Sequence, residues 1–156
     1  MEKITRNKVE TLRSVINRIN FRTVSDRNVR RQLIGLVPQL ERLVKERVAD
    51  MQEIHKRIFG EFDTETLKAH DALVGEITNQ KDKSEAERLD KERKEKFPDV
   101  IKALEVFHDE LNYYGEQEVE VGVDALDAEA FIDGLSEQDF PIDAALLSAL
   151  TPVVKM

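Results

Sequence analysis

Between Asp26 and Gly60 the chain reads DRNVRRQLIGLVPQLERLVKERVADMQEIHKRIFG, with apolar residues at Val29, Leu33, Leu36/Val37, Leu40, Val44, Val48, Met51, Ile54 and Ile58. That is 29 residues over 8 intervals, or 3.625 per step. The value matches a straight α-helix better than the 3.5 of a left-handed supercoil, so ordinary helix packing is expected over a long parallel coiled coil. Ser25 or Asp26 can cap the helix by accepting a hydrogen bond from a first-turn amide. Gly35 and Pro38 interrupt the pattern. Proline lacks the N–H and clashes with the preceding turn, at about 3 kcal/mol inside a helix, so a kink at 34–38 or two abutting helices is expected. At ~1.5 Å per residue, about 33 residues would run roughly 50 Å, more than a compact domain of this size needs.

So long an amphipathic helix needs a second helix to cover its stripe. Phe97, Val100, Ile101, Leu104, Phe107, Leu111 and Tyr114 provide one, opened by Pro98 in the first turn and stopped by Gly115. Between the two limbs, Gly60 and Asp63 mark a break, and Leu67, Leu73, Val74 and Ile77 carry a weaker stripe onward. From Asn79 to Lys96, 13 of 18 residues are charged, 7 basic and 6 acidic, with only Ala86 and Leu89 apolar. Ser84 and Glu87 have capping-box spacing, and the alternating signs allow i,i+4 pairs. Segment 79–96 therefore reads as an exposed, highly charged tip of a hairpin.

The ends of the chain supply the rest. Lys3-Ile4-Thr5 reads as a short strand, Asn7 stands three positions ahead of Glu10 as a cap, and Val9, Leu12, Val15, Ile16 and Ile19 predict a helix over 7–20. Glu118-Val119-Glu120-Val121-Gly122-Val123 alternates with period two, a strand whose only visible partner is Lys3-Ile4-Thr5. Asp127 can cap a helix ending at Gly134, and Pro141 and Asp143 can open another through Ala144, Leu146, Leu147 and Leu150 up to Pro152. The expected fold is mostly α, a long antiparallel helical hairpin with an N-terminal helix and a small two-stranded β element near the chain ends. Residues 1–156 are read as a single elongated domain.

Charge is unevenly spread. Of a total net charge of −8, residues 1–60 carry 14 Lys and Arg against 7 Asp and Glu, whereas 97–156 carry 2 against 14. The two ends can neutralise each other or serve separate partners. Cysteine is absent, which removes disulfides, thiolate metal sites and thiol nucleophiles. No apolar run reaches the roughly 18 residues of a membrane span, and the opening MEKITRNKVE has no signal-peptide core. A soluble protein of the cytoplasm is expected, with no membrane contact.

Catalytic chemistry finds little footing. His55, His70 and His108 lie outside any HExxH pattern, and packed or surface imidazoles are the better reading. Asp109 with Glu110, or Glu118 with Glu120, would need a cleft to shift their pKa values. Neither a glycine-rich phosphate loop nor a GxSxG turn is present. No enzyme activity, cofactor or metal is expected. Two charged features remain as candidate sites. Arg27, Arg30 and Arg31, with Arg13, Arg18 and Arg22 before them, could meet nucleic-acid phosphates. Glu118, Glu120 and Asp124 could form an acidic interaction face that imitates a phosphate backbone.

Taken in order, the KIT opening, the Asn after it, the hairpin with its charged middle, the Glu/Val strand and the ending LLSALTPVV resemble a family of small bacteriophage and prophage proteins of unknown function. The resemblance implies viral origin, a hairpin fold and action in the host cytoplasm, and supplies no catalytic residue. The expected role is a non-catalytic interaction or assembly factor, with self-association or a host or phage protein as partner. The alternatives are an acidic inhibitor of a host nucleic-acid enzyme, or a nucleic-acid-binding accessory protein acting through the basic front third.

Overall fold

The structure, a computed structural model, describes residues 2–123, 126–134, 144–150 and 153–155. Asp124, Pro141, Asp143 and Pro152, each given a role above, lie outside them. In chain order the elements are β1 (Glu2–Thr5), α1 (Arg6–Asn17), a 3-10 turn at Phe21–Thr23, α2 (Arg27–Phe59), α3 (Thr64–Asn79), α4 (Lys83–Lys96) and α5 (Pro98–Glu116). Then follow β2 (Glu118–Val121), β3 (Leu126–Asp127), α6 (Ala128–Gly134), α7 (Ala144–Ala149) and β4 (Val154–Lys155). The fold is mostly α, as the apolar periodicity requires. The chain divides into two compact units, one of 1–49 with 113–156 and one of 50–112.

In the first unit, β1 and β2 pair antiparallel with Glu2 opposite Val121, Lys3 opposite Glu120, Ile4 opposite Val119 and Thr5 opposite Glu118. That these two segments pair was expected from the sequence; the antiparallel direction and the register come from the structure. The ladder continues into α1, where the Arg6 N–H donates to the Gln117 carbonyl at 2.9 Å. One orphan donor of the first turn is thereby satisfied, and Asn7 is not the cap. Thr5 holds that position with no side-chain bond. A Cβ on Gly115 would collide with the Asn7 carboxamide. Gly115 thus gives room to Asn7, while α5 runs one residue further, to Glu116.

α2 is a continuous helix with Pro38 inside it, not two abutting ones. Asp26 caps it, its Oδ1 accepting from the Val29 N–H at 3.0 Å. Its buried residues in this unit are Val29, Leu33, Leu36, Leu40 and Leu43, a mean step of 3.5. That is shorter than the 3.6 of a straight helix, so the covered face winds slowly around α2. The seam shifts onto Leu43, leaving Val44 half-buried and Val48 51% exposed, against the straight stripe expected from spacing alone. Ile4, Leu12, Ile16, Val24, Val121, Phe131, Leu150 and Val153 complete this core. A second pair, β3 with β4, is parallel and joins Leu126 to Val154 and Asp127 to Lys155. Each strand is two residues long, too short for alternation to register in sequence.

The second unit is an antiparallel helical hairpin. Asp63 caps α3 and Asp82 caps α4, their Oδ1 atoms accepting from the N–H groups of Glu65 and Ser84 at 3.1 and 2.9 Å. The α4 cap is therefore Asp82 and not Ser84, which becomes the second helical residue. His70 meets Arg93 and Phe97, Phe59 meets Phe107, and Arg57 meets Glu110. In each pair the later residue rises as the earlier one falls, which is the register of antiparallel limbs. The turn of the hairpin is 80–82, and both limbs beside it are helical. On α4, Asp90 binds Arg93 and Lys94 at 3.1 and 3.2 Å, Glu92 binds Lys96 at 2.5 Å, and Glu85 binds Arg88. Asp90 with Lys94 and Glu92 with Lys96 are the i,i+4 pairs expected from the alternating signs, and the other two are i,i+3 pairs. They hold the carboxyls of Asp90, Glu92 and Glu85 below their ordinary range, chiefly through the hydrogen bonds from Lys94, Lys96 and Arg88. Leu89 is buried, so α4 is not polar on every side.

Candidate functional site

The hairpin register brings together side chains that are far apart in sequence. At the break between α2 and α3, the His55 ring lies 4.8 Å from Phe59 and 5.6 Å, edge to face, from Phe107 of α5. Phe59 and Phe107 are 5.5 Å apart at 66°. Tilted and T-shaped packings of this kind put ring edges against ring faces, as the aromatic quadrupole favours. The three rings form one wall of a half-enclosed pocket of about 140 Å³. Leu67, Val100 and Leu104 form its aliphatic side, and His70 and Asp71 its polar side.

His70 is the only buried polar residue among the described residues, at 3% exposure. Its Nε2 lies 3.3 Å from Nη1 of Arg93, and its ring packs edge-on against Phe97 at 5.5 Å. A guanidinium has no acceptor, so in a hydrogen bond between the two Arg93 donates and Nε2 accepts. Nδ1 faces the Asp71 carboxylate at 3.6 Å. The Asp71 side chain is 83% exposed. Arg93 and Arg57, the guanidinium groups of this unit with partners on facing helices, are themselves matched with Asp90 and Glu110. His108 is exposed, with its ring 6.2 Å from Phe107. Among the described residues no three His, Asp or Glu side chains converge as a metal site would require.

The two charged candidates sit elsewhere. Arg30 is spent inside the first unit, its Nη2 and Nε donating to the Val24 carbonyl at 2.6 and 3.2 Å. Arg27 and Arg31 are exposed and, with Asn28, line a depression of about 260 Å³ at the start of α2. Arg31 donates to Asn28 Oδ1 at 3.1 Å. Arg13 pairs with Glu41 at 2.7 Å and Arg47 approaches Glu10 at 3.9 Å, so these basic residues find acids within the front third. Glu118 and Glu120 are exposed on one side of β2.

Spacing within single helices gave no reason to join His55, His70 and Phe107. The usable signal was the turn at 80–82. Once two limbs run antiparallel from that turn, residue 55 falls near 107 and residue 70 near 93. The chain matches no protein-family model, no curated protein and no solved structure. No helix among the described residues is long and apolar enough to cross a membrane.

Proposed function

We propose that the protein is a non-catalytic interaction or assembly factor of bacteriophage or prophage type, which binds a protein partner through its 50–112 hairpin. One observation carries this reading. Within 50–112 only Phe59, Leu89 and Val100 are buried apolar residues, while Met51, Ile54, Ile58, Leu73, Ile77, Ile101 and Leu111 stay half-exposed and Val74 and Val106 are exposed. A stripe covered on one side only leaves favourable burial, about 25 cal/mol per Å², for a second surface to collect. The host cytoplasm is the compartment this reading places it in.

The test is affinity capture from bacterial lysate, with and without nuclease, using the wild type and the double variant Val74→Glu, Val106→Glu. The expected result is a protein retained through nuclease treatment and released by the double variant, whose helix content is unchanged. A wild type that sediments as a monomer at high concentration and retains nothing would sink the proposal. Retention that vanishes with nuclease would favour a second reading, phosphate binding at the Arg27, Asn28 and Arg31 depression. In that case Arg27→Ala with Arg31→Ala flattens the salt dependence.

A further inference from the structure

We infer that the pocket between α2, α3 and α5 is a binding site for a small organic cation, an alkylated ammonium group. The inference goes beyond the interaction reading and does not depend on it.

Three properties select this chemistry. The first is size: about 140 Å³ is close to the roughly 150 Å³ of a cavity that accepts one benzene ring, so the site takes a single compact group and no extended ligand. The second is the wall. Phe59 and Phe107, with His55 packed against both, give the pocket one aromatic wall, and phenyl rings attract cations while Leu67, Val100 and Leu104 favour a ligand with apolar substituents. An ammonium clothed in methyl or methylene groups meets both demands; a hydrated metal ion or a phosphate meets neither.

The third is charge. Asp71 places a carboxylate at the rim, with its side chain 83% exposed and its Oδ1 3.6 Å from Nδ1 of His70. The surrounding helix segments are acid-rich: across 50–78 and 97–112 there are 11 Asp and Glu against 4 Lys and Arg. The local field therefore concentrates cations. Arg93, the positive group behind His70, is matched by Asp90 at 3.1 Å and so opposes the ligand weakly. His70 itself is held by Arg93 and Phe97, which makes it a fixed part of the wall and a reporter of occupancy.

The experiment titrates the full chain with tetramethylammonium, n-butylammonium, tert-butanol and pivalate at constant ionic strength, following the ring resonances of His55 and His70 by NMR. The expected result is saturable shifts of both imidazoles with at least one of the cations, about fivefold tighter than with tert-butanol, and none with pivalate. Preference for tetramethylammonium points to a free or methylated quaternary group, and preference for n-butylammonium to the end of a lysine side chain. Asp71→Asn, a surface change that leaves the fold intact, weakens cation binding several-fold and leaves tert-butanol unaffected. Phe107→Leu keeps the apolar volume, removes the ring and weakens the cation selectively. Equal affinity for tert-butanol, binding indifferent to both substitutions, or no saturable shift in any arm would overturn the inference.

Discussion

Gln39 and Gly122 are joined as two rungs of a sheet would be, although one is a side chain. Gln39 Oε1 accepts from the Gly122 N–H at 2.6 Å while its Nε2 donates to the Gly122 carbonyl at 3.1 Å. Nε2 also donates to the Gly35 carbonyl one turn back on α2, at 3.0 Å. One carboxamide thus ties the chain just after β2 to α2, beside the turn that Pro38 interrupts. Gln39→Ala removes all three bonds, and because the site is partly exposed water replaces some of them. The expected loss is about 1 kcal/mol, read as a lower urea midpoint with an unchanged slope.

The winding of the covered face gives α2 opposite sensitivities at two apolar positions. Leu43 is 4% exposed and Val48 is 51% exposed. Leu43→Ala should cost about 2–3 kcal/mol through lost burial and a residual cavity, whereas Val48→Ala should stay within about 0.5 kcal/mol. Chemical denaturation of the two variants side by side checks this. Equal losses would mean that the face is straight, as the 3.625 step suggested.

Gly115 and Asn7 should be coupled. Alanine normally improves a helix by about 1 kcal/mol over glycine, but at 115 its methyl meets the Asn7 carboxamide. In a double-mutant cycle, Gly115→Ala is therefore expected to be less favourable in the wild type than in Asn7→Ala, by about 0.5–1 kcal/mol. Additive effects would show that Asn7 swings aside freely.

The ion pairs of α4 make a pH prediction. Glu85, Asp90 and Glu92 have lowered folded-state pKa values, set by hydrogen bonds from Arg88, Lys94 and Lys96. A carboxyl that is lowered on folding contributes stability that is complete above its unfolded pKa. That contribution is lost as pH falls through the folded value. Helix content of the tip should be steady at neutral pH and decline below the ordinary carboxylate range near 4. All three groups are solvent-exposed, so molar salt should reduce the difference between neutral and acidic pH. Amide hydrogen exchange across 83–96 at pH 7 and 3.5 measures it.

Much of the fold was legible before any coordinates. Asp26 at its helix start, the break at Gly60 and Asp63, Pro98 in a first turn, the helices ending at Gly134 and running through Leu146, and the pairing of the Lys3-Ile4-Thr5 segment with the Glu/Val strand all follow from local patterns. The caps that were misplaced, Asn7 and Ser84, had the right residue type with a better competitor two positions earlier. At Thr5 the competitor was the β ladder, which already satisfied Arg6. At Asp82 it was a carboxylate placed to accept from Ser84.

What the sequence by itself determined is the set of helices, their breaks and the two segments that become β1 and β2, because capping, helical period and strand alternation act over a few residues at a time. The tertiary structure alone decided that Leu43 and not Val48 is covered, that Leu126 pairs with Val154, that Gly115 yields to Asn7, and that His55, His70 and Phe107 share one pocket. Each of these depends on the relative placement of elements. That placement is a property of how whole surfaces pack, and no stretch of a few residues carries it.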